Sequence, residues 1–386
     1  MKSFRIFYII IAIISLQECK ILNFSDKQRL PEKSQIVLDQ KIKRVSVNTS
    51  ITHFNLFDTY ERDGNTYLLL INKKINQIEI LNIFTNKIIF SKALDNIVKK
   101  PNDYGEISSI EFVNFDSIFL LQEKAITLID TTMEKLAIDI NKGEDLDYSN
   151  CILSNLDHAP IYFNEIDQSL SIQSYCHTCY VYDIRYYQAP IHVSFSLENH
   201  KFKPLPIHYS NMYLDDYFGF HNLVFRSEYE DKYIVGFSAD TDFYIFDKNA
   251  KKAKTHNGKS KFQLFEIEHL KKKYKNDSNK KLRHLTLFPI YKEILYDEKR
   301  SLYYRFLLNG IQEKNPDGTY NSWNDKELIL MIFDGELKLI KEVNLGKGVY
   351  NSSKSFVGDN GLYLLHFQQE DSLNLNKIDY DLYEFH

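Results

Sequence analysis

Thirteen glycines and eight prolines in 386 residues leave little material for phosphate-cradling loops or proline-rich linkers. No dinucleotide fingerprint, Walker loop, nucleophile elbow or His-Glu-x-x-His pair occurs, so the enzyme classes that announce themselves by such motifs are not signalled. A carboxylate dyad assembled from distant strands would leave no local spacing, and that chemistry stays open. A surplus of basic residues is missing too. Lys and Arg number 48 against 52 Asp and Glu, for a formal net charge of -4, which excludes an electrostatically driven nucleic-acid binder. No apolar run reaches the roughly 18 residues of a membrane-spanning helix. Cysteine occurs four times and tryptophan once.

Against these absences stand 27 Phe and 27 Tyr, and a 44% hydrophobic share that rules out a disordered chain. The chain begins with Lys2 and Arg5, then nine apolar residues from Ile6 to Ile14. This order of a cationic start and a short apolar stretch is that of a signal peptide over 1–18, since nine helical residues span only about 14 Å. Leu16 and Cys19 have the Leu-x-x-Cys spacing of a bacterial lipobox, which makes Cys19 the candidate lipidation site. Glu18 departs from the small residue usual there, so secretion as a soluble protein is the alternative. Residues 19–35 are polar and read as a flexible tether, leaving 36–386 as one domain.

Downstream, apolar runs are four to eight residues long, rich in β-branched and aromatic side chains, and bounded by Asn, Asp or Gly, the pattern of strands. A turn containing Asp followed by an apolar strand recurs six times, at Asp63, Asp116, Asp167, Asp231, Asp297 and Asp359. A second landmark, Asp or Asn ending one strand and Lys opening the next, recurs at Asn82 with Lys87, Asp130 with Lys135, Asp247 with Lys252 and Asp334 with Lys338. Four strands per unit at this period predict an all-β propeller of six four-stranded blades, because a lone twisted sheet leaves both faces uncovered. The plainer alternative is that Asp is common in any turn. The segment 35–48 is predicted to complete the last blade by pairing with the carboxy-terminal strands.

Two stretches interrupt the pattern. His256 to His284 carries nine Lys or Arg against three acids, and its middle, 261–275, has helix-forming composition. A short helical or irregular excursion is expected there. Gly310 to Lys326 holds the single Trp and the turn Asn315-Pro316-Asp317-Gly318.

The stretches Phe112 to Leu121, Phe237 to Phe262 and Tyr291 to Phe306, the last ending near Tyr303-Tyr304-Arg305, resemble domain-of-unknown-function family 4221. That resemblance implies an exported, often lipid-anchored protein with a propeller-like fold. It implies no activity and no catalytic residues.

The tightest reactive cluster is Cys176, His177 and Cys179. Cysteines three apart on a straight strand stand about 10 Å apart, so a disulfide between them requires a turn at His177 and Thr178. Cys151 is the other available partner, and unpaired thiols, a metal site or a redox pair are further readings. No second short-spaced ligand pair for a structural zinc is visible. For an axial site the polar residues to inspect are His53, His158, His192, His221, Arg226, His284 and Arg305, with His221, Arg226, Tyr304 and Arg305 as candidate ligand contacts. Arg305 is alternatively a buried structural charge, and strand alternation sends Tyr304 to the opposite face. The expected function is an envelope protein that binds a peptide, glycan or protein partner, without a cofactor. A hydrolase or lyase working in the axial funnel is the alternative.

Overall fold

The computed structural model of the protein describes residues 40–51, 53–94, 105–132, 135–140, 151–153, 160–176, 178–229, 232–247, 253–367 and 377–385. The expected signal peptide, Cys19, the tether, His158, His177, Asp231 and Lys252 lie outside these residues.

Six antiparallel sheets stand in a ring, a six-bladed β-propeller. The first blade is β2 (Leu56–Arg62), β3 (Asn65–Asn72), β4 (Gln77–Asn82) and β5 (Lys87–Ala93). The second is β6 (Ile107–Asn114), β7 (Ser117–Gln122), β8 (Ala125–Ile129) and β9 (Lys135–Asp139). The third holds β10 (Cys151–Leu153), β11 (Tyr162–Asn164), β12 (Ser169–Cys176), β13 (His192–Ser196) and β14 (Phe202–Pro204). The fourth and fifth run from β15 (Val224–Tyr229) through β16 (Lys232–Phe237), β17 (Phe243–Asp247) and β18 (Lys254–His256), then β19 (Ile290–Asp297), β20 (Leu302–Leu308), β21 (Glu327–Asp334) and β22 (Leu339–Lys347). The sixth combines β23 (Tyr350–Gly358), β24 (Gly361–His366) and β25 (Lys377–Phe385) with β1 (Gln40–Asn48), whose nine residues pair antiparallel with β25 from Gln40 opposite Phe385 to Asn48 opposite Lys377. The predicted closure is therefore the observed one. Its physical reason is that β25 would otherwise present a row of unpaired backbone groups.

The five described recurring Asp residues mark the turn between the first and second strands of their blades. Asp63 and Gly64 both have positive φ, 53° and 72°, as a tight hairpin turn demands. Asp297 Oδ1 accepts from Arg300 N at 3.1 Å. At the second landmark Asp334 Oδ1 accepts from Glu336 N at 3.0 Å and Lys338 N at 2.9 Å. These short carboxylates close turns because they satisfy N–H groups that no strand partner can reach.

Six clusters of buried side chains form the core, one at each seam between neighbouring blades. Leu69, Ile80, Ile110 and Leu120 meet between the first and second blades, and Leu70, Leu81, Tyr363 and Tyr380 between the sixth and the first. Each sheet thus buries both faces. The seam between the third and fourth blades is different: it is filled by the connecting segment, with Tyr187, Tyr209 and Tyr213 packing on Val235 and Phe237.

The short helical or irregular excursion expected near 256–284 is there, but its helix lies outside 261–275, the stretch of helix-forming composition. That stretch is irregular apart from one 3-10 turn, and the helix α3 occupies Ser278–Leu287, after α1 (Ile184–Gln188) and α2 (Met212–Asp215). Position follows the cap rather than composition, since the Asp277 side chain accepts from Lys280 N at 3.0 Å and starts the helix. The preceding segment is tied down by other partners, including Asn309 Nδ2 donating to Phe262 O at 2.6 Å and Leu270 N to Tyr217 O at 2.6 Å. The third blade also exceeds four strands. Its inner edge is shared by β11, paired with the start of β12, and β10, paired with its end.

Connectivity puts the insertions at one end of the ring. The Asp hairpins join first to second and third to fourth strands, so second-to-third loops and blade-to-blade crossings lie at the opposite end. Among the described residues four long excursions, 178–191, 205–223, 257–289 and 309–326, are all of these latter kinds.

Candidate functional site

The first strands of the six blades enclose an axial cavity of about 680 Å³, within the range of small-molecule sites. Asp58 of β2, Glu111 of β6, Tyr162 of β11, Arg226 and Glu228 of β15, Glu293 of β19 and Ser353 of β23 supply its polar wall. Phe57, Tyr229, Tyr296 and Phe356 supply much of the apolar remainder.

Several of these polar groups stitch the blades together. Asp58 Oδ2 accepts from Phe112 N at 2.5 Å and Oδ1 from Thr59 N at 2.8 Å. One blade on, Glu111 Oε1 accepts from Phe163 N at 3.2 Å. Next, Tyr162 donates to Arg226 O at 2.9 Å, while the Arg226 guanidinium lies 4.6 Å from the Tyr162 ring centre and donates to Ser171 Oγ at 2.5 Å. On the far side Ser353 Oγ donates to Glu293 Oε1 at 2.8 Å and receives from Lys292 Nζ at 2.9 Å. The cause is general: the inner edge of every blade carries backbone donors that no further strand can pair.

Enclosure sets the charge states. Burial pushes the Asp58 carboxyl up to about 6 despite its two backbone donors. Burial, then the negative charge of Asp58, drives Glu111 well above the ordinary carboxylate range. Glu293 goes the other way: burial raises it, but the Lys292 ammonium and several hydrogen bonds, the one from Ser353 first among them, hold it below its usual value. Two buried atoms of this wall, Glu293 Oε2 and Arg226 Nε, have no hydrogen-bond partner among the described residues. The wall is rich in acceptors, and Arg226 is its one cationic lining residue among the described residues.

Of the described residues singled out as site candidates from sequence, Arg226 alone is among those lining this cavity. Arg305 is fully buried on β20 and reaches the turn of the fourth blade, where its guanidinium donates to Thr241 O at 2.5 Å and Asp240 O at 2.9 Å. It also lies 4.2 Å from the Tyr291 ring centre. This is the structural role, although its partners are carbonyls and an aromatic face rather than a carboxylate. Tyr304 points to the other face and donates to Asp297 Oδ2 at 3.1 Å. His221 packs edge-on against His284, 5.0 Å between ring centres, beneath the insertions. His192 is buried on β13, and His53 is exposed.

Asp58, Glu111, Glu228 and Glu293 were missed. A signal for two of them exists: Asp58, Glu111, Tyr162 and Arg226 each stand five residues before a recurring turn residue, Asp63, Asp116, Asp167 and Asp231. In the last two blades, register shifts inside β19 and β23 break the spacing, and Glu293 and Ser353 take the equivalent places.

Away from the axis, Cys176 and Cys179 are joined by a disulfide with their Cα atoms 5.5 Å apart, the chain turning where β12 ends. Cys151 stands directly across from Cys176 in strand register. Among the described residues no three His, Cys, Asp or Glu converge as metal ligands, and no helix there is long and apolar enough to cross a membrane.

Six blades around a polar axial cavity define a six-bladed β-propeller. The chain belongs to the DUF4221 family, a domain of unknown function, whose sequence pattern matches residues 33–344. A DUF4221 member from Bacteroides vulgatus has a similar fold, with a TM-score of 0.74 at 18% identity over 90% of this chain and 98% of that one. A Bacteroides fragilis protein provisionally described as exported shares the fold more loosely, at a TM-score of 0.51 and 10% identity over 90% and 95% of the two chains. No curated protein matches the sequence.

Proposed function

We propose that the protein is an exported, non-catalytic binding propeller whose axial cavity holds the cationic, donor-rich end of a peptide or amino-glycan. The acceptor-rich wall carries this reading: Asp58, Glu228 and Glu293 line the cavity together with one guanidinium, and Glu293 Oε2 is an unspent acceptor among the described residues. A ligand must supply what such a wall lacks, namely N–H or O–H donors and positive charge. Tyr229 and Tyr296, 4.3 Å between ring centres, offer an aromatic surface for its apolar faces or a cation. The Leu16-x-x-Cys19 spacing supports a lipid tether to the envelope.

The raised Glu111 beside Asp58 favours a second reading, an acid-base pair of a hydrolase. Binding is preferred because both carboxyls already accept backbone N–H groups and act as wall staples.

Calorimetric titration with glucosamine, N-acetylglucosamine and a Lys-Ala dipeptide tests the proposal. The amine-bearing probes are expected to bind at least tenfold more tightly than the acetylated sugar, and Glu293→Gln to remove that preference. Equal binding of free and acetylated amine would sink it. Cleavage of a chromogenic glycoside that is abolished in Glu111→Gln would replace it with the hydrolase. Intact mass of the mature chain, with and without Cys19→Ala, tests the tether.

A further inference from the structure

A band of alternating cations and aromatic rings crosses the insertion-bearing end of the propeller, and it is distinct from the axial cavity. It starts at Tyr180 and Tyr182, stacked 5.1 Å apart with ring planes 5° from parallel, and Lys275 sits 4.1 Å from the Tyr182 ring centre. Beside it, Lys273 and Lys280 flank Tyr274 at 5.0 Å and 5.6 Å. Along α3, Lys281 covers Phe220 at 4.7 Å. Arg283 lies over Tyr320 at 5.0 Å, where Lys314 joins from the other insertion at 4.7 Å. Three of these contacts, Lys275 with Tyr182, Lys281 with Phe220 and Arg283 with Tyr320, tie segment 257–289 to segments 178–191, 205–223 and 309–326, so the band runs across all four. Tyr180 is 68% exposed, Tyr320 57% and Trp323 45%.

This concentration of positive charge contrasts with the negative chain around it. Between His256 and His284 nine basic residues meet three acids, against -4 for the whole protein. Such an asymmetry attracts an anionic partner locally although the net charge repels one. The most exposed rings of the band are Tyr180, Tyr320 and Trp323, flat surfaces with a polar edge, whereas Phe220, at 38%, is less exposed and covered by Lys281. Carboxylates are interleaved, with Glu313 3.4 Å from Arg283 and Glu266 paired with Lys259. Those acceptors suit a partner that carries hydroxyl donors as well as anionic groups. A phosphodiester backbone or a layer of phospholipid headgroups would meet them mainly as repulsion.

We propose that this band binds an anionic glycan chain, with sugar faces on Tyr180, Tyr320 and Trp323 and carboxylate or sulfate groups on the lysines of 271–281. The proposal is independent of the axial ligand and survives its failure.

The test is binding of the intact mature protein to polygalacturonate and chondroitin sulfate by interferometry at 20 mM and 300 mM NaCl. Neutral dextran, phosphatidylglycerol vesicles and oligo(dT) are run in parallel. Binding to both acidic glycans that falls at least tenfold at high salt, without dextran binding, is expected. Lys273→Gln with Lys280→Gln should weaken it tenfold. Tyr180→Ala with Tyr320→Ala should do so too with charge unchanged, while both pairs keep the wild-type melting temperature and axial-probe affinity. Vesicles or oligo(dT) bound as tightly as the glycans, or tyrosine variants that bind like wild type, would overturn the proposal.

Discussion

Arg305 shows how one side chain can hold two blades together. Its guanidinium replaces water for the carbonyls of Thr241 and Asp240, and the backbone around it is shaped to admit it. A Cβ on Gly258 would stand 2.9 Å from Nη1, and one on Gly236 3.0 Å from Nη2. Arg305→Met is therefore expected to cost about 3 kcal/mol in urea unfolding, because it strands buried acceptors. Arg305→Lys should recover less than half of that, since a single ammonium cannot fill a forked site. The axial acids give a second residue-scale test. Burial is the first cause of the raised Glu111 titration and the Asp58 charge the second. Asp58→Asn should lower the Glu111 titration, followed by carbon-13 carboxyl shifts, yet leave it above the ordinary value of 4.5. No change on that substitution would mean the two carboxyls do not sense each other.

At the scale of the strand and the turn, the sequence was most readable where a structure closes on itself within a few residues. The Asp hairpins are such structures, and five of the six recurring positions fall at described first-to-second-strand turns. The turn at Asn315 likewise closes through Gly318 N to Asn315 O at 2.9 Å. Readability failed where the partner is remote. Asp58 meets Phe112 across 54 residues, and its place five residues before Asp63 marks its strand position but not its partner. Helix α3 lies beyond 261–275 for a related reason: that stretch has helical composition, but its backbone is claimed by Tyr217 and Asn309 from other insertions. Strand β1 provides the element-scale prediction. Deleting 1–48 should leave the β25 edge bare and give oligomers or aggregates by size-exclusion chromatography, whereas deleting 1–38 should leave a monodisperse protein like the parent. Identical behaviour of the two truncations would show that β1 does not protect that edge.

Over the whole molecule, buried titratable groups pull stability in opposite directions with pH. Burial lowers the titration of His192, His221 and His284 below 6.5, so the folded state resists their protonation. Their contribution is fully present above pH 6.5 and is lost as pH falls. Asp58, raised to about 6, and Glu111 act conversely: the fold binds their protons more readily than the unfolded chain, so their contribution favours folding as pH falls through about 6. The urea midpoint of Glu111→Gln, which keeps an acceptor for Phe163 N but cannot titrate, should therefore drop more steeply from pH 7 to pH 5 than that of the parent. Burial also pushes the Lys326 ammonium down to about 7 at the end of α3, where it donates to Leu285 O and Phe288 O.

The amino-acid order by itself determined the strand-and-turn repeat, the number of blades and the need for an amino-terminal strand to close the ring, because alternation and turn hydrogen bonds act over a few residues. The membership of the axial wall, the structural duty of Arg305 and the continuity of the cation-aromatic band were decided only by the tertiary structure. Each joins groups from different blades or insertions, and which backbone donors, ring faces and charges become neighbours depends on closing the ring.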